Sequence, residues 1–111
     1  MVTEEDVRRV ALALPQTREQ TSYGTPGFRV QDRLFARIRA EGDLAVWLPD
    51  EAQKHELIAS APEVYFTTAH YDGFAVALVR LDAIDLDELT EVITEAWRAR
   101  APRRLLAELD R

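Results

Sequence analysis

Between residues 29 and 47, five side chains able to grip a polar or anionic partner fall at strand spacing: Arg29, Phe35, Arg37, Arg39 and Trp47. Successive strand residues point to opposite faces, so a period of two puts these five on one face with Gln31 and Ala45. Phe28, Val30, Leu34, Ala36, Ile38, Leu44, Val46 and Leu48 fall on the other face and make a core. The arginine fork binds phosphate or carboxylate oxygens in pairs, and aromatic rings stack on bases or sugars. The first face therefore reads as a surface for an anionic partner. A competing reading is an ordinary solvated face shielded by arginine stems, or one whose Phe35 and Trp47 are covered by a loop or a second subunit.

His70 stands close to Asp72 in a loop between strands, and such a pair suggests acid–base chemistry. Loop neighbours seldom face one another, however, and no Ser or Cys nucleophile pattern accompanies them. No catalytic residue is assigned, and the chain is expected not to be an enzyme. Tyr23 and His70 are instead candidates for the edge of the binding face. His55 is isolated on an exposed-looking helix face, and two lone histidines lack metal-ligand spacing. Neither GxGxxG nor GxxxxGK occurs, so no nucleotide-cradling loop is expected. No metal or cofactor is assigned. Gly24, Gly27, Gly42 and Gly73 all read as turn glycines.

Composition limits the choices further. The 111 residues read as a single domain, 1–111, and contain no Cys, which excludes disulfides, thiolate metal sites and Cys nucleophiles. Three acids, Glu4, Glu5 and Asp6, stand where a secretory signal carries bases, and no apolar run approaches the ~20 residues of a membrane span. A cytoplasmic protein without membrane contact is the expectation. The net charge of −6 is uneven: residues 49–97 set Lys54 and Arg80 against eleven acids, whereas residues 98–111 carry five Arg against two acids. Non-specific affinity for nucleic acid scales with the phosphates neutralised, so only a local basic face on this acidic body could supply it.

The elements that hold these residues are legible from caps and periods. Thr3 caps a first helix with Asp6 three residues on, and Val7, Val10, Ala11 and Leu14 repeat at helical spacing before Pro15. Gln16 to Pro26 is polar and turn-rich and reads as a long loop. Three strands follow, 27–31, 34–39 and 44–48. Asp50 caps a weakly amphipathic second helix, with Gln53 at its third position and Pro62 closing it. Val64–Thr67 reads as a short strand, Asp72-Gly73 as a turn, and Phe74–Leu81 as a strand covered on both sides. Asp85 and Glu88 open the last main helix, whose stripe is Leu86, Leu89, Ile93, Ala96 and Trp97. Arg103 to Leu109 adds a short helical turn. The order α-β-β-β-α-β-β-α predicts a two-layer α+β fold, a mostly antiparallel sheet of about five strands with helices packed on it.

Several of these stretches together resemble one family. A helix ending in Leu-Pro, Tyr23-Gly24-Thr25-Pro26-Gly27-Phe28-Arg29-Val30, Leu34-Phe35-Ala36, Tyr65, His70-Tyr71-Asp72-Gly73, Asp85-x-x-Glu88-Leu89 and Ala96-Trp97 are similar to the MmcQ/YjbR-like proteins over nearly the whole chain. That resemblance implies a CyaY-like α+β fold and a bacterial DNA-binding role, with double-stranded DNA as partner of the Arg and aromatic face. The alternative is a protein-interaction or homodimerisation module that buries Phe35 and Trp47. The chain departs from many relatives around Tyr71 to Phe74, where no Lys follows.

Overall fold

Thr3 starts the first helix by exchanging two hydrogen bonds with Asp6. The Asp6 amide donates to the Thr3 hydroxyl at 3.2 Å, and the Thr3 amide donates to the Asp6 carboxylate at 2.9 Å. Two amides that a helix start leaves unpaired are thereby satisfied. Helix α1 then spans Glu4–Leu12 in this computed structural model, which describes residues 1–110, and buries Val7 and Ala11.

The stretch expected as a loop is a hairpin. Strands β1 (Thr17–Ser22) and β2 (Thr25–Val30) pair antiparallel with Ser22 opposite Thr25. Between them Tyr23 and Gly24 both have positive φ, 55° and 81°, the mirror-image turn whose twist suits a tight hairpin. β1 has no apolar alternation because it is the edge of the sheet, with only Ser22 buried. Gly27 accordingly lies inside β2 rather than in a turn, where a Cβ would stand 3.0 Å from the Leu34 side chain.

Strands β3 (Arg33–Ile38) and β4 (Leu44–Trp47) continue the sheet, followed by helix α2 (Glu51–Ser60) and strand β5 (Tyr65–Phe66). A 3-10 turn (Ala69–Tyr71), strand β6 (Val76–Val79), helix α3 (Leu86–Arg100) and helix α4 (Arg103–Leu109) complete the order. The sheet runs β1-β2-β3-β4-β6-β5 with every neighbouring pair antiparallel. The α+β class is as expected, with six strands among the described residues instead of about five. β6, between β4 and β5, is buried throughout, as its two-sided apolar sequence requires. No helix among the described residues is long and apolar enough to cross a membrane.

All three expected caps form: Asp50 accepts from the Gln53 amide and Asp85 from the Glu88 amide, each at 2.8 Å. The Glu88 side chain does not return the bond to its cap; it accepts from the Tyr65 hydroxyl at 2.5 Å. Helix α3 packs on β3 and β4 with α1 beside it, and Trp97 is fully buried with its indole N–H donating to the Pro15 carbonyl at 3.0 Å. Phe28, Val30, Ile38, Leu44 and Val46 meet Val7, Leu89, Ile93 and Trp97 in the main core.

One register shift alters the face assignment. Phe28 stands opposite Ala36, but Arg29 stands opposite Leu34, so Phe35 is an extra residue in β3. Such a bulge breaks the period of two. Phe35 therefore lies wholly buried in the main core, correcting its assignment to the arginine face. Leu34, expected in the core, comes out on the opposite face.

Candidate ligand groove on the bare sheet face

The face of the sheet away from the main core carries a smaller apolar cluster. Ala45, Val76 and Leu78 bury against Tyr71, with Trp47 and Phe66 half-buried at its margin. The β5–β6 connection brings Tyr71 onto this face through the 3-10 turn, and Gly73, at φ 83°, turns the chain back toward β6. Beside this cluster Tyr23, Leu34, Arg37, Trp47, His70, Tyr71, Phe74 and Val76 enclose an open groove of 630 Å³. That size is typical of small-ligand sites.

Arg37 stands at its centre. One guanidinium nitrogen, Nη1, donates to the Thr25 hydroxyl at 3.1 Å, and Nη2 donates to the Tyr71 hydroxyl at 3.2 Å. The guanidinium carbon lies 5.3 Å from the centre of the Tyr23 ring, within cation–π range. Its hydrogen bonds to Thr25 and Tyr71 use neutral oxygens, and among the described residues no carboxylate reaches within salt-bridge distance of it. A positive charge oriented by neutral groups remains available to an incoming anion.

The other two arginines of the row are committed within the fold. Arg39 forks onto Asp43, with Nε and Nη2 donating at 2.5 and 2.9 Å. Asp43 accordingly holds the Arg39 pKa above its ordinary value. Arg29 donates from Nη1 to the Asp32 carbonyl at 3.0 Å, within the β2–β3 turn, and its buried Nε has no partner among the described residues. Arg18 from β1 pairs with the Asp32 carboxylate. Of the sequence-assigned residues, the groove thus gathers Tyr23, Arg37, Trp47 and His70; Arg39 borders it, Arg29 turns back onto the hairpin, and Phe35 belongs to the core.

Two of the rings are conspicuous for their exposure. Tyr23 is 88% exposed and Phe74 61% exposed, although both are large aromatic side chains. Tyr23 also holds a left-handed backbone conformation unusual for a bulky residue. The His70 ring meets Tyr71 edge-on, with centroids 4.9 Å apart. Among the described residues no three His, Asp or Glu side chains assemble as a metal site.

Leu34, Tyr71 and Phe74 escaped the sequence reading, as did Lys54 behind them. Leu34 was hidden by the bulge. Phe74 carried a signal, a large ring directly after the Asp72-Gly73 turn. Lys54 carried one too, since it precedes Leu57, Ile58 and Ala61 by three, four and seven positions and so shares their helical stripe.

A two-layer α+β domain with helices on one sheet face and an aromatic groove on the other is the class these features define. The chain belongs to the YjbR family, whose profile matches residues 12–99. It is similar to uncharacterized proteins of Mycobacterium bovis and Mycobacterium tuberculosis, each 39% identical over 124 residues, covering 96% of this chain and 94% of theirs. The crystal structure of Deinococcus radiodurans protein DR2400, a DUF419 domain, aligns with a TM-score of 0.75 at 21% identity, covering 99% of this chain and 89% of that one. At that identity the likeness establishes the fold.

Proposed function

We propose that this chain is a non-catalytic DNA-binding domain that takes unpaired nucleotides in the groove, a base stacking on the exposed rings while a phosphate meets Arg37. The observation that carries this reading is the Arg37 guanidinium, held by the neutral Thr25 and Tyr71 hydroxyls beside the Tyr23 ring. Base–aromatic stacking contributes about 1–3 kcal/mol per base and tolerates any sequence. A double helix fits this face less well. It presents a row of phosphates, whereas Arg39 is already neutralised by Asp43 and Arg29 is engaged in its own turn. Its bases are also stacked on one another and offer no free plane to Tyr23 or Phe74.

The opposite layer favours the same face. A second depression, of 460 Å³ between α2 and α3, is walled by Glu88, Glu91 and Glu95, whose charge repels phosphate.

The test is fluorescence anisotropy of a labelled oligothymidine and of a duplex of equal length, at low and moderate salt, with Arg37→Ala and Phe74→Ala beside the parent chain. Salt-sensitive binding of the single strand, lost in both variants, is the expected result. No binding at low salt, where electrostatic attraction is strongest, would overturn it, and preference for the duplex would overturn the choice of unpaired bases.

Exposure of Tyr23 and Phe74 also favours a second reading, self-association through this face. It requires a mass near twice 12.7 kDa in light scattering, falling to a single chain in Phe74→Ala.

A further inference from the structure

Lys54 is the chain's one lysine among fourteen cationic side chains, and only 1% of it is exposed. Its Nζ donates to the Tyr71 carbonyl at 2.7 Å and to the Phe74 carbonyl at 2.9 Å. Those carbonyls bracket the Asp72-Gly73 turn, and the Tyr71 carbonyl also accepts from the Phe74 amide at 3.1 Å. A buried charge held by neutral carbonyls is costly to desolvate. The ammonium carries three N–H donors, so it can serve both converging carbonyls at once.

We propose that Lys54 is a positioning residue that sets the groove wall from behind: by holding both carbonyls it fixes the turn that presents Tyr71 to Arg37 and Phe74 to the groove mouth. The chain of contacts is continuous, from α2 through the ammonium to the Tyr71 backbone, and from the Tyr71 hydroxyl to Arg37. A preformed wall lowers the ordering cost of binding. The importance of this wall for a ligand rests on the groove being the binding site; the holding of the turn does not.

The experiment compares the parent chain with Lys54→Met, which keeps the length of the stem and removes the ammonium. Amide hydrogen exchange at Asp72 and Phe74 is expected to quicken by about tenfold or more while amides in β3 and α3 keep their protection. Oligothymidine affinity is expected to weaken by about tenfold. In Lys54→Ala, added n-propylammonium is expected to restore protection at Asp72 and Phe74, whereas tetramethylammonium, without an N–H donor, is not. Unchanged exchange at these amides, acceleration spread evenly over the whole chain, or equal rescue by both cations would each overturn the proposal. Quickened exchange with undiminished oligothymidine binding would overturn its ligand-positioning part. If Lys54→Met does not fold, Lys54→Leu, which likewise has no N–H donor, takes its place in the exchange comparison. A parent chain that binds no oligothymidine removes the DNA reading alone, and the exchange and rescue results still decide the role of Lys54.

Discussion

Arg37 and Tyr71 join the sheet to the turn that covers it: the Arg37 Nη2 donates to the Tyr71 hydroxyl at 3.2 Å. Thirty-four positions separate the two residues, so the bond links the β2–β3–β4 part of the sheet to the β5–β6 connection. The Tyr71 ring is buried against Ala45, Val76 and Leu78, so its hydroxyl is a fixed acceptor. Arg37 is thereby aimed before any ligand arrives.

Tyr71→Phe should separate this aiming from the packing, because it removes the acceptor and keeps the ring. A hydrogen bond from a charged donor contributes about 1.5–3 kcal/mol net, and at this part-buried site urea denaturation should show a loss at the lower end of that range. Oligothymidine binding should weaken by a few fold, since Arg37 keeps its Thr25 bond but gains freedom. An affinity equal to the parent's would mean that Arg37 needs no second anchor.

Asp43→Ala should act in the opposite direction. The Arg39 fork onto Asp43 removes one cation from the row beside the groove. Left among the described residues with only the exposed Glu41 carboxylate at 3.8 Å, Arg39 should add a phosphate contact, steepening the dependence of log affinity on log salt by about one and tightening binding at low salt. If the slope does not change, Arg39 lies out of reach of the bound strand.

Phe35 and Leu34 supply a test that needs no ligand. Phe35 is fully buried in the main core, so Phe35→Ala should cost about 3–5 kcal/mol in denaturant unfolding. Leu34 is half-buried at the groove, and Leu34→Ala should cost about 1 kcal/mol, well below core values of about 2–5. The strand period assigns these two costs the other way round, so equal or reversed losses would contradict the bulge.

That reversal marks where the sequence stops being legible. Thr3, Asp50 and Asp85 declare their helices because a cap is a local bond spanning three residues, and each forms as read. The apolar alternation of 28–38 and 44–48 likewise places most of the core. A bulge leaves no mark in a period of two, since one inserted residue only exchanges the faces beyond it. β1 is silent for another reason: an edge strand with little buried has no apolar pattern to show. The groove was partly legible, through Tyr23, Arg37, Trp47 and His70. Whether Arg39 was free depended on Asp43 folding back across a turn, and the role of Lys54 depended on a loop seventeen positions away.

Tyr65 gives the structure a pH signature on the alkaline side. Its hydroxyl is buried and donates to the Glu88 carboxylate at 2.5 Å. Burial, and then the hydrogen bond to Glu88 and the negative charge of that carboxylate, raise the Tyr65 pKa well above its ordinary value of 10.0. The folded chain therefore keeps a proton that the unfolded chain releases. The stabilisation is fully present below the unfolded value, near pH 10, and is lost as pH rises from there toward the folded value. One such proton gives a slope of at most about 1.4 kcal/mol per pH unit. Urea unfolding at a series of pH values from 8 to 11.5 should show stability falling above about pH 10, and Tyr65→Phe should flatten that fall while costing some stability near neutrality. If parent and variant decline in parallel, the Tyr65 proton is not what the folded state protects.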